Sequence, residues 1–336
     1  MNTRDLTDPS RGRSDRIDTL RGLACLLLVA FHVVGYDASH GLGIPADAGL
    51  RTLADFFAHV RMPLFTFLSG YVYALHPVER QTWRLFVRKK LRRLLLPLIV
   101  VSSLYYAAHR IMFGTHEMAP DAFWTVYLYP YAHLWFLQAL IVILACVSLL
   151  ELAGLLGNVR KFAVAFGLTA ALHLTLHVGQ LPFSIGRAIY LAPFFLAGLG
   201  AYRYRDILQS TGARRLAQGI CLVSILIGLY LSFRGAGIPE RQTLLATTIS
   251  LSTCLALLAS MPRLSWLALV GGYSYAIYLY HLFFTAATGL ALVGLGSDDL
   301  GLQFAAGLLA GVLGPILVER VVTLNALPRR LLLGQA

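Results

Sequence analysis

The chain has 336 residues, of which 57% are hydrophobic and only 13% are charged, and its mean hydropathy is +0.69. Soluble domains carry about a quarter charged residues, so this composition excludes an ordinary soluble protein and indicates a multi-pass membrane protein. The net charge of +12 does not indicate nucleic-acid binding, because the basic residues fall in short breaks between apolar runs.

The sequence predicts an all-α polytopic transmembrane bundle of about ten helices. Residues 1–16 and 323–336 are predicted to be cytoplasmic tails, and residues 17–322 a single transmembrane domain. A membrane crossing needs about 20 mostly apolar residues, and hydropathy identifies ten such stretches. They lie at 17–36, 54–75, 94–113, 131–150, 162–178, 186–202, 216–233, 243–260, 265–290 and 302–322.

The distribution of basic residues predicts the orientation of these helices. If the N-terminus is cytoplasmic, 21 of the 28 Lys and Arg residues fall in cytoplasmic segments and 5 on the opposite side. Positive charge is enriched on the cytoplasmic side of membrane proteins. Both termini are therefore predicted to be cytoplasmic, which agrees with an even number of crossings.

Some residues within the apolar runs indicate packing. The small residues of Gly307-Leu-Leu-Ala-Gly311 are typical of close helix contact. The four cysteines have no metal-like spacing, so we expect neither a metal site nor a disulfide framework. They are Cys25, Cys146, Cys221 and Cys254.

The first predicted helix carries a polar stripe. A helix turns about 100° per residue, so Arg21 and His32 lie within roughly 20° of each other and about 16 Å apart on one face, which Asp18 and Cys25 share. Unpaired charge in hydrocarbon costs several kcal/mol, which makes this stripe a candidate functional site. Alternatively, Asp18 and Arg21 form a cap and a snorkelling anchor while His32 bonds a neighbouring helix.

The second predicted helix adds Asp55, His59 and Arg61 in its outer part. Asp55 and His59 are four residues apart and can meet on one helix face. Pro63 is predicted to kink the helix and to open backbone groups to a cavity. The alternative is an interfacial Asp–His pair beside a snorkelling arginine.

Two later segments combine aromatic and polar residues. Tyr131 and Trp135 open the fourth predicted helix, where aromatic residues are typical interface anchors. In the ninth predicted helix, Ser274, Tyr278 and His281 recur at helical spacing, and this histidine is expected within the membrane or its outer half.

The cytoplasmic segment 79–93 holds seven basic residues, including Arg88 and Arg92. Three interpretations stay open for it: binding of acidic headgroups, the positive-inside rule, and binding of the phosphates of an anionic cofactor.

At several of these positions the sequence resembles the membrane-bound acyltransferase-3 family, the integral-membrane O-acyltransferases that modify bacterial glycans. The resemblance covers nearly the whole chain, because the matching segments are spread in order from the first to the ninth helix. The segments are 16–24 with His32 eleven residues after Arg21, then 61–70, 133–137 and 273–281.

The resemblance implies a ten-helix bundle in the bacterial cytoplasmic membrane that moves a short acyl group from cytoplasmic acyl-CoA to a glycan hydroxyl at the outer face. Acetyl-CoA is the expected donor, with succinyl-CoA as the alternative. The expected acceptor is an exopolysaccharide, an O-antigen repeat or a lipid-linked saccharide. Many relatives carry a fused periplasmic domain, whereas this chain is expected to be the stand-alone form.

The resemblance implies roles for His32, Arg21 and Arg61, and the residue pattern itself supplies the other candidates. His32 looks like the general base that removes the proton from the acceptor hydroxyl. Arg21 looks like a contact to the CoA phosphates or to the thioester. Arg61 would neutralise charge on the cofactor or on the developing oxyanion. Asp55 is the residue expected to orient His32. The other candidates are His59, Trp135, Ser274, Tyr278 and His281 for acceptor binding, and Arg88 and Arg92 for the cofactor.

A second class of function stays open at this point. A transporter or flippase would use Asp18, Arg21, His32 and His281 as a proton or anion relay. Such proteins often show a repeat that relates their halves, and none is visible here. An acyl-enzyme on Cys25 is disfavoured, because seven residues of helix place it about 10 Å from His32.

Overall fold

A computed structural model describes residues 9–113, 123–208, 210–234 and 237–335. Within these ranges the regular secondary structure is helical and no strand occurs, which confirms the all-α prediction. The helices are α1 (Pro9–Val34), α2 (Gly49–Phe56), α3 (Ala58–Tyr73), α4 (Trp83–Phe113), α5 (Thr125–Leu128), α6 (Trp135–Leu152), α7 (Val159–Thr175), α8 (Ile185–Arg203), α9 (Arg205–Leu208), α10 (Thr211–Phe233), α11 (Leu244–Ser260), α12 (Ser265–Gly272), α13 (Ser274–Gly294), α14 (Leu300–Val322) and α15 (Ala326–Leu333).

In the described ranges, seven helices are long and apolar enough to cross a membrane: α1, α4, α6, α8, α10, α13 and α14. The chain is therefore a multi-pass membrane protein. Fewer helices meet this criterion of length and hydropathy than the ten crossings predicted, because three predicted spans correspond to shorter helices. These are α3, with 16 residues, and α7 and α11, with 17 residues each.

Two predicted spans contain a break that hydropathy does not reveal. The stretch 54–75 divides at Phe57 into α2 and α3, and 265–290 divides at Tyr273 into α12 and α13. Pro63 lies inside α3, so the break at Phe57 precedes it, and the kink expected at Pro63 stays a prediction. Phe57 has a ψ of −3° instead of the helical value of about −42°. The break is therefore a change of backbone torsion before the proline.

Two helices begin earlier than predicted. α1 begins at Pro9, so the predicted tail 1–16 is partly helical, and residues 1–8 lie outside the described residues. α4 begins at Trp83, so most of the basic segment 79–93 is helix. Hydropathy marks where apolar residues begin, whereas a helix continues through polar residues as long as its backbone hydrogen bonds continue.

Side-chain caps define the starts of three helices. The side-chain oxygens of Asn158, Ser210 and Thr243 each accept a hydrogen bond from the backbone N–H three residues later. These bonds satisfy N–H groups that have no partner within the helix. The residues thereby fix where α7, α10 and α11 begin.

The chain divides into two compact units. The first comprises the chain up to Leu68 together with Tyr204–Ile316, and the second comprises Ser69–Arg203 together with the chain from Leu317 onward. In the first unit, α1 packs against α2, α11, α12 and α13. The helix that carries the predicted polar stripe is therefore surrounded by its own unit.

Two glycines allow α1 and α12 to cross in close contact. A Cβ atom on Gly22 would overlap the Leu267 carbonyl, and one on Gly271 would overlap the Asp18 carbonyl. Neither neighbour can move aside easily, because both are backbone atoms. The crossing therefore requires glycine on both helices.

The Gly307 and Gly311 pair also lies at a helix contact, as predicted. A Cβ on Gly307 would lie 3.1 Å from the Val33 side chain. A Cβ on Gly311 would lie 2.6 Å from Val29 and from Thr285. α14 therefore approaches α1 and α13 through its two glycines, which confirms the packing interpretation.

The second unit is organised around α6 and α8, which pack on each other, while α15 packs on the start of α4. Arg203 is held there by the Glu151 carboxylate at 3.0 Å and by the Leu156 carbonyl at 2.8 Å. Gly70 lets the end of α3 meet the Phe195 backbone closely. These contacts stabilise the second unit without using residues of the polar stripe on α1.

Candidate active site

Two histidines that are far apart in sequence meet in the first unit. The Nε2 atom of His281 lies 3.1 Å from the Nδ1 atom of His32, and their ring centroids are 4.8 Å apart. His32 lies in the last turn of α1, and His281 lies eight residues into α13. His281 is completely buried, whereas His32 is partly exposed.

Backbone carbonyls define which nitrogen of His281 carries the proton. Its Nδ1 atom lies 2.8 Å from the Ile277 carbonyl and 3.0 Å from the Tyr278 carbonyl. A carbonyl oxygen can only accept, so this Nδ1 must carry a hydrogen. In the neutral ring, Nε2 of His281 is therefore an acceptor that faces His32.

The same reasoning assigns the proton on His32. Its Nδ1 atom lies 2.9 Å from the Leu28 carbonyl, so Nδ1 is the donor and shares its hydrogen between Leu28 and His281. In the neutral ring, the basic nitrogen of His32 is consequently Nε2. The role in acceptor binding that the sequence analysis assigned to His281 stays a prediction, and its hydrogen bond to His32 adds an influence on the tautomer of that ring.

Arg61 lies one aromatic ring away from His32. Its guanidinium carbon is 3.6 Å from the Phe31 ring centroid, and Phe31 meets the His32 ring edge-on at 5.1 Å. One guanidinium nitrogen also donates to the Ala54 carbonyl at 2.9 Å. The buried guanidinium of Arg61 and the imidazole of His32 therefore both contact the Phe31 ring.

The predicted Asp55–His59 pair does not form. Asp55 belongs to α2 and His59 to α3, and the break at Phe57 separates their helical faces. His59 is buried, and the polar group beside its ring is the Pro239 backbone. The positive charges of Arg61, Arg51 and Arg241 act on the Asp55 carboxylate. His281 contacts Nδ1 of His32, and the orienting role expected of Asp55 stays a prediction.

Arg21 is paired within its own helix. Its Nη1 atom donates to the Asp18 carboxylate at 2.9 Å, and both side chains are partly exposed. An exposed ion pair of this kind contributes about 0–1 kcal/mol to stability, so the pair can open to admit an anionic group at little cost. Arg21 lies near the middle of α1, eleven residues before His32, and its partly exposed guanidinium suits contact with an anion.

Ser274 and Tyr278 support the site mainly through their backbone. The Cys25 thiol donates to the Ser274 carbonyl at 3.8 Å, and the Tyr278 carbonyl is one of the two acceptors that hold His281. Both contacts connect α1 to the start of α13. The break at Tyr273 begins α13 at the residue where this contact is made.

Sequence analysis missed the role of Arg51, which it counted only as an outer basic residue. Arg51 is buried and donates to the carbonyls of Gly35 at 2.7 Å, Asp37 at 2.7 Å and Ile44 at 3.1 Å. It thereby ties the loop 35–48 to α2. The three glycines of this segment are the sequence signal that could have revealed the loop. In the structure Gly35, Gly41 and Gly43 all have positive φ.

The remaining predicted residues belong to the second unit. The Trp135 ring packs against Arg187, whose guanidinium carbon is 4.5 Å from the ring centroid. Arg88 is exposed on α4, and Arg92 is partly buried there. The roles of Trp135 in acceptor binding and of Arg88 and Arg92 in cofactor binding stay predictions.

Apolar helices of membrane length and a pair of hydrogen-bonded imidazoles define a polytopic membrane protein with a candidate acid–base site. A family model described as an acyltransferase domain matches residues 14–320. The chain therefore belongs to the acyltransferase-3 family and is a membrane acyltransferase, which confirms the resemblance found in the sequence. Comparisons with curated proteins and with solved structures gave no match.

Proposed function

We propose that this protein is an O-acyltransferase that moves a short acyl group from acyl-CoA to a hydroxyl of a bacterial surface glycan or exopolysaccharide. The observation that carries the proposal is the hydrogen bond between His281 and His32. It makes Nε2 of His32 the basic nitrogen, and a neutral imidazole suits removal of a proton from a hydroxyl. Membership of the acyltransferase-3 family supports the reaction class.

The transfer balances with these groups alone. Nε2 of His32 accepts the hydroxyl proton while the hydroxyl oxygen attacks the thioester carbonyl, which forms the new C–O bond. The C–S bond then breaks, and the CoA thiolate leaves and takes up the proton. Since the thioester is already activated, the protein needs only to orient both substrates, accept a proton and stabilise the oxyanion.

His281 acts in this scheme as a positioning residue. Its Nε2 accepts the Nδ1 hydrogen of His32, which holds the ring in one tautomer and stabilises the imidazolium that forms during the transfer. Its own Nδ1 hydrogen is fixed by two backbone carbonyls. The two imidazoles are thus arranged for proton uptake before the substrate binds.

Arg21 and Arg61 have different roles in the proposed reaction. A guanidinium is planar and always charged, so it suits both phosphate and oxyanion recognition. Arg61, next to Phe31 and His32, stabilises charge near the reacting carbonyl. Arg21, near the middle of α1, contacts the CoA phosphates, and the partly exposed Asp18 is its partner in the structure.

Direct transfer is favoured over an acyl-enzyme. Cys25 is the nearest nucleophile along α1, but it is fully buried and its thiol bonds the Ser274 carbonyl. We propose acetyl-CoA as the first donor to test and succinyl-CoA as the second. The proposed location is the bacterial cytoplasmic membrane with both termini in the cytoplasm.

Donor binding by purified protein in lipid nanodiscs tests this proposal. Calorimetry would compare acetyl-CoA, succinyl-CoA and free coenzyme A for wild-type protein and His32→Gln. The proposal predicts saturable binding of one acyl-CoA that His32→Gln retains, because His32 acts on the acceptor hydroxyl. Folded wild-type protein that binds neither acyl-CoA would contradict it and would favour the transporter class.

A further inference from the structure

Two buried hydroxyl groups of the second unit make no hydrogen bond. Ser102, on α4, is completely buried, and Tyr131, in the segment before α6, is 8% exposed. Neither hydroxyl oxygen has a hydrogen-bond partner within the described residues. Buried hydroxyl groups are normally hydrogen-bonded, because burial removes the water that would otherwise bind them. Both hydroxyl groups can therefore bond a ligand without giving up a partner in the described chain.

The Tyr105 ring connects these two residues. Ser102 and Tyr105 are three residues apart on α4 and therefore share one face of that helix. The Tyr105 ring meets the Tyr131 ring edge-on, with 5.7 Å between the centroids, and the His133 ring with 6.0 Å between the centroids. We refer to Ser102, Tyr105 and Tyr131 as the hydroxyl cluster. It is formed where α4 packs against the segment before α6.

The hydroxyl groups next to the hydroxyl cluster are satisfied. Ser103 bonds the Ile99 carbonyl at 2.8 Å and the Tyr127 hydroxyl at 2.8 Å. A bond to the carbonyl four residues earlier is the usual arrangement for a serine inside a helix. The unpaired state of Ser102 and Tyr131 is therefore specific to these two residues. The chain thereby offers a bonded serine and a bonded tyrosine for comparison.

Left-handed backbone occurs beside the hydroxyl cluster. Within the described ranges, the non-glycine residues with positive φ are Ala132 at 45°, Phe183 at 53° and Ser184 at 54°. Ala132 directly follows Tyr131, and the other two belong to the turn Pro182–Ser184 that precedes α8. Such conformations persist only where surrounding contacts enforce them, and they are concentrated at ligand sites.

Gln138 joins the two left-handed turns. Its side chain is 1% exposed, and its Nε2 atom donates to the carbonyls of Tyr127 at 3.0 Å and Tyr129 at 3.2 Å. Its Oε1 atom accepts the Ser184 hydroxyl. One buried amide therefore holds both the chain before Tyr131 and the start of α8. Tyr131 is thus fixed in position before any ligand binds, which lowers the entropic cost of binding.

We infer that the hydroxyl cluster binds hydroxyl groups of the acceptor and that the acceptor presents an uncharged sugar there. This inference rests on the proposed function, since it takes the acceptor to be a saccharide. A hydroxyl group both donates and accepts, so the side chains of Ser102 and Tyr131 are complementary to sugar hydroxyls. The Tyr105 ring supplies apolar contact. An uncharged sugar fits these neutral groups, because a buried charge needs a partner of opposite charge.

Ligand-induced thermal shifts of the full-length protein in nanodiscs, without any acyl donor, test this inference. The probes are the methyl glycosides of glucose, galactose and mannose, each compared with its fully O-methylated form. That form keeps the sugar ring but has no hydroxyl donor. We expect at least one glycoside to raise the melting temperature saturably. It should bind at least tenfold more tightly than its O-methylated form.

Two pairs of variants separate binding from stability. Tyr131→Phe and Ser102→Ala should each weaken glycoside binding about fivefold, which corresponds to the loss of one hydrogen bond. Their melting temperatures without glycoside should equal or exceed that of the wild type, because each removes an unpaired buried group. Tyr127→Phe and Ser103→Ala are the matched controls. They break the bond between Ser103 and Tyr127, so they should lower the melting temperature and keep glycoside binding.

Several results would overturn the inference. Glycoside binding that neither Tyr131→Phe nor Ser102→Ala weakens would do so, as would melting temperatures lowered in both variants as in the controls. Equal binding of the O-methylated probes, no binding of any of the three glycosides, or tighter binding of D-glucuronate than of methyl glucoside would also overturn it. Because the test uses no acyl-CoA, its failure is separate from a failure of donor binding.

Discussion

His281 and His32 are 249 positions apart in the chain and are joined by a 3.1 Å contact between Nε2 and Nδ1. The contact gives His281 a defined task, because a neutral His32 held this way has its basic nitrogen at Nε2. A histidine that merely lined the acceptor site would not need its other nitrogen fixed by two carbonyls.

Substitution of His281 therefore tests a positioning role. Glutamine can place an oxygen acceptor near the position of Nε2, whereas phenylalanine keeps the ring volume and removes the acceptor. We expect His281→Phe to lower kcat about 100-fold while the KM for acyl-CoA stays within about twofold, and His281→Gln to recover most of kcat. Steady-state kinetics on both variants measures this. Equal losses in the two variants would indicate packing alone.

Substitutions of Arg21 and Asp18 can distinguish a role in donor binding from a purely structural ion pair. If Arg21 contacts the CoA phosphates, Arg21→Gln should raise the KM for acyl-CoA about tenfold with little change in kcat. Asp18→Asn removes the competing carboxylate, so its KM should be unchanged or lower. A purely structural ion pair would instead make the two variants equal in melting temperature and in KM.

The glycine crossing of α1 and α12 has a direct test in stability. Gly271→Ala should lower the free energy of unfolding by about 1–3 kcal/mol, because the added methyl group meets the Asp18 backbone and overpacking forces the helices apart. Gly272→Ala is the matched control, since a Cβ there meets nothing within 4 Å. Thermal unfolding in detergent that ranks Gly272→Ala as the less stable variant would contradict the described crossing.

Arg51 should be required for the order of the loop 35–48. Arg51→Lys keeps the charge but loses most of the donors, and each hydrogen bond to a charged group contributes about 1.5–3 kcal/mol. We expect faster proteolysis within this loop and a lower melting temperature, whereas Arg234→Gln should resemble the wild type. A cleavage rate that Arg51→Lys leaves unchanged would show that the loop is held by other contacts.

Much of the fold was predictable, because helix formation in a membrane depends on length and hydropathy. Each of the ten predicted stretches contains a helix, and Gly307 and Gly311 pack against neighbouring helices as expected. The breaks at Phe57 and Tyr273 were not predictable, since neither residue differs in hydropathy from its surroundings. Asp55 and His59 were therefore placed on one face that the structure divides.

The sequence analysis named His32, Arg21 and His281 as candidates but did not predict which of them are in contact. The spacing of Arg21 and His32 on one helix is a local property that periodicity reveals. The contact of His32 with His281 depends on how α1 packs against α13, and a single sequence does not encode such a pairing visibly. Arg51 was overlooked for the same reason, because its partners are backbone carbonyls.

The most direct test of the account is acyl transfer by the protein in its own membrane. Vesicles containing wild-type protein, His32→Gln or the exposed control His177→Gln would receive radiolabelled acetyl-CoA and succinyl-CoA, and label in the glycan fraction would be counted. The account predicts that His32→Gln lowers transfer about 100- to 10,000-fold at equal folded protein, while His177→Gln matches the wild type. Undiminished transfer by His32→Gln would remove His32 from the mechanism and contradict the central claim.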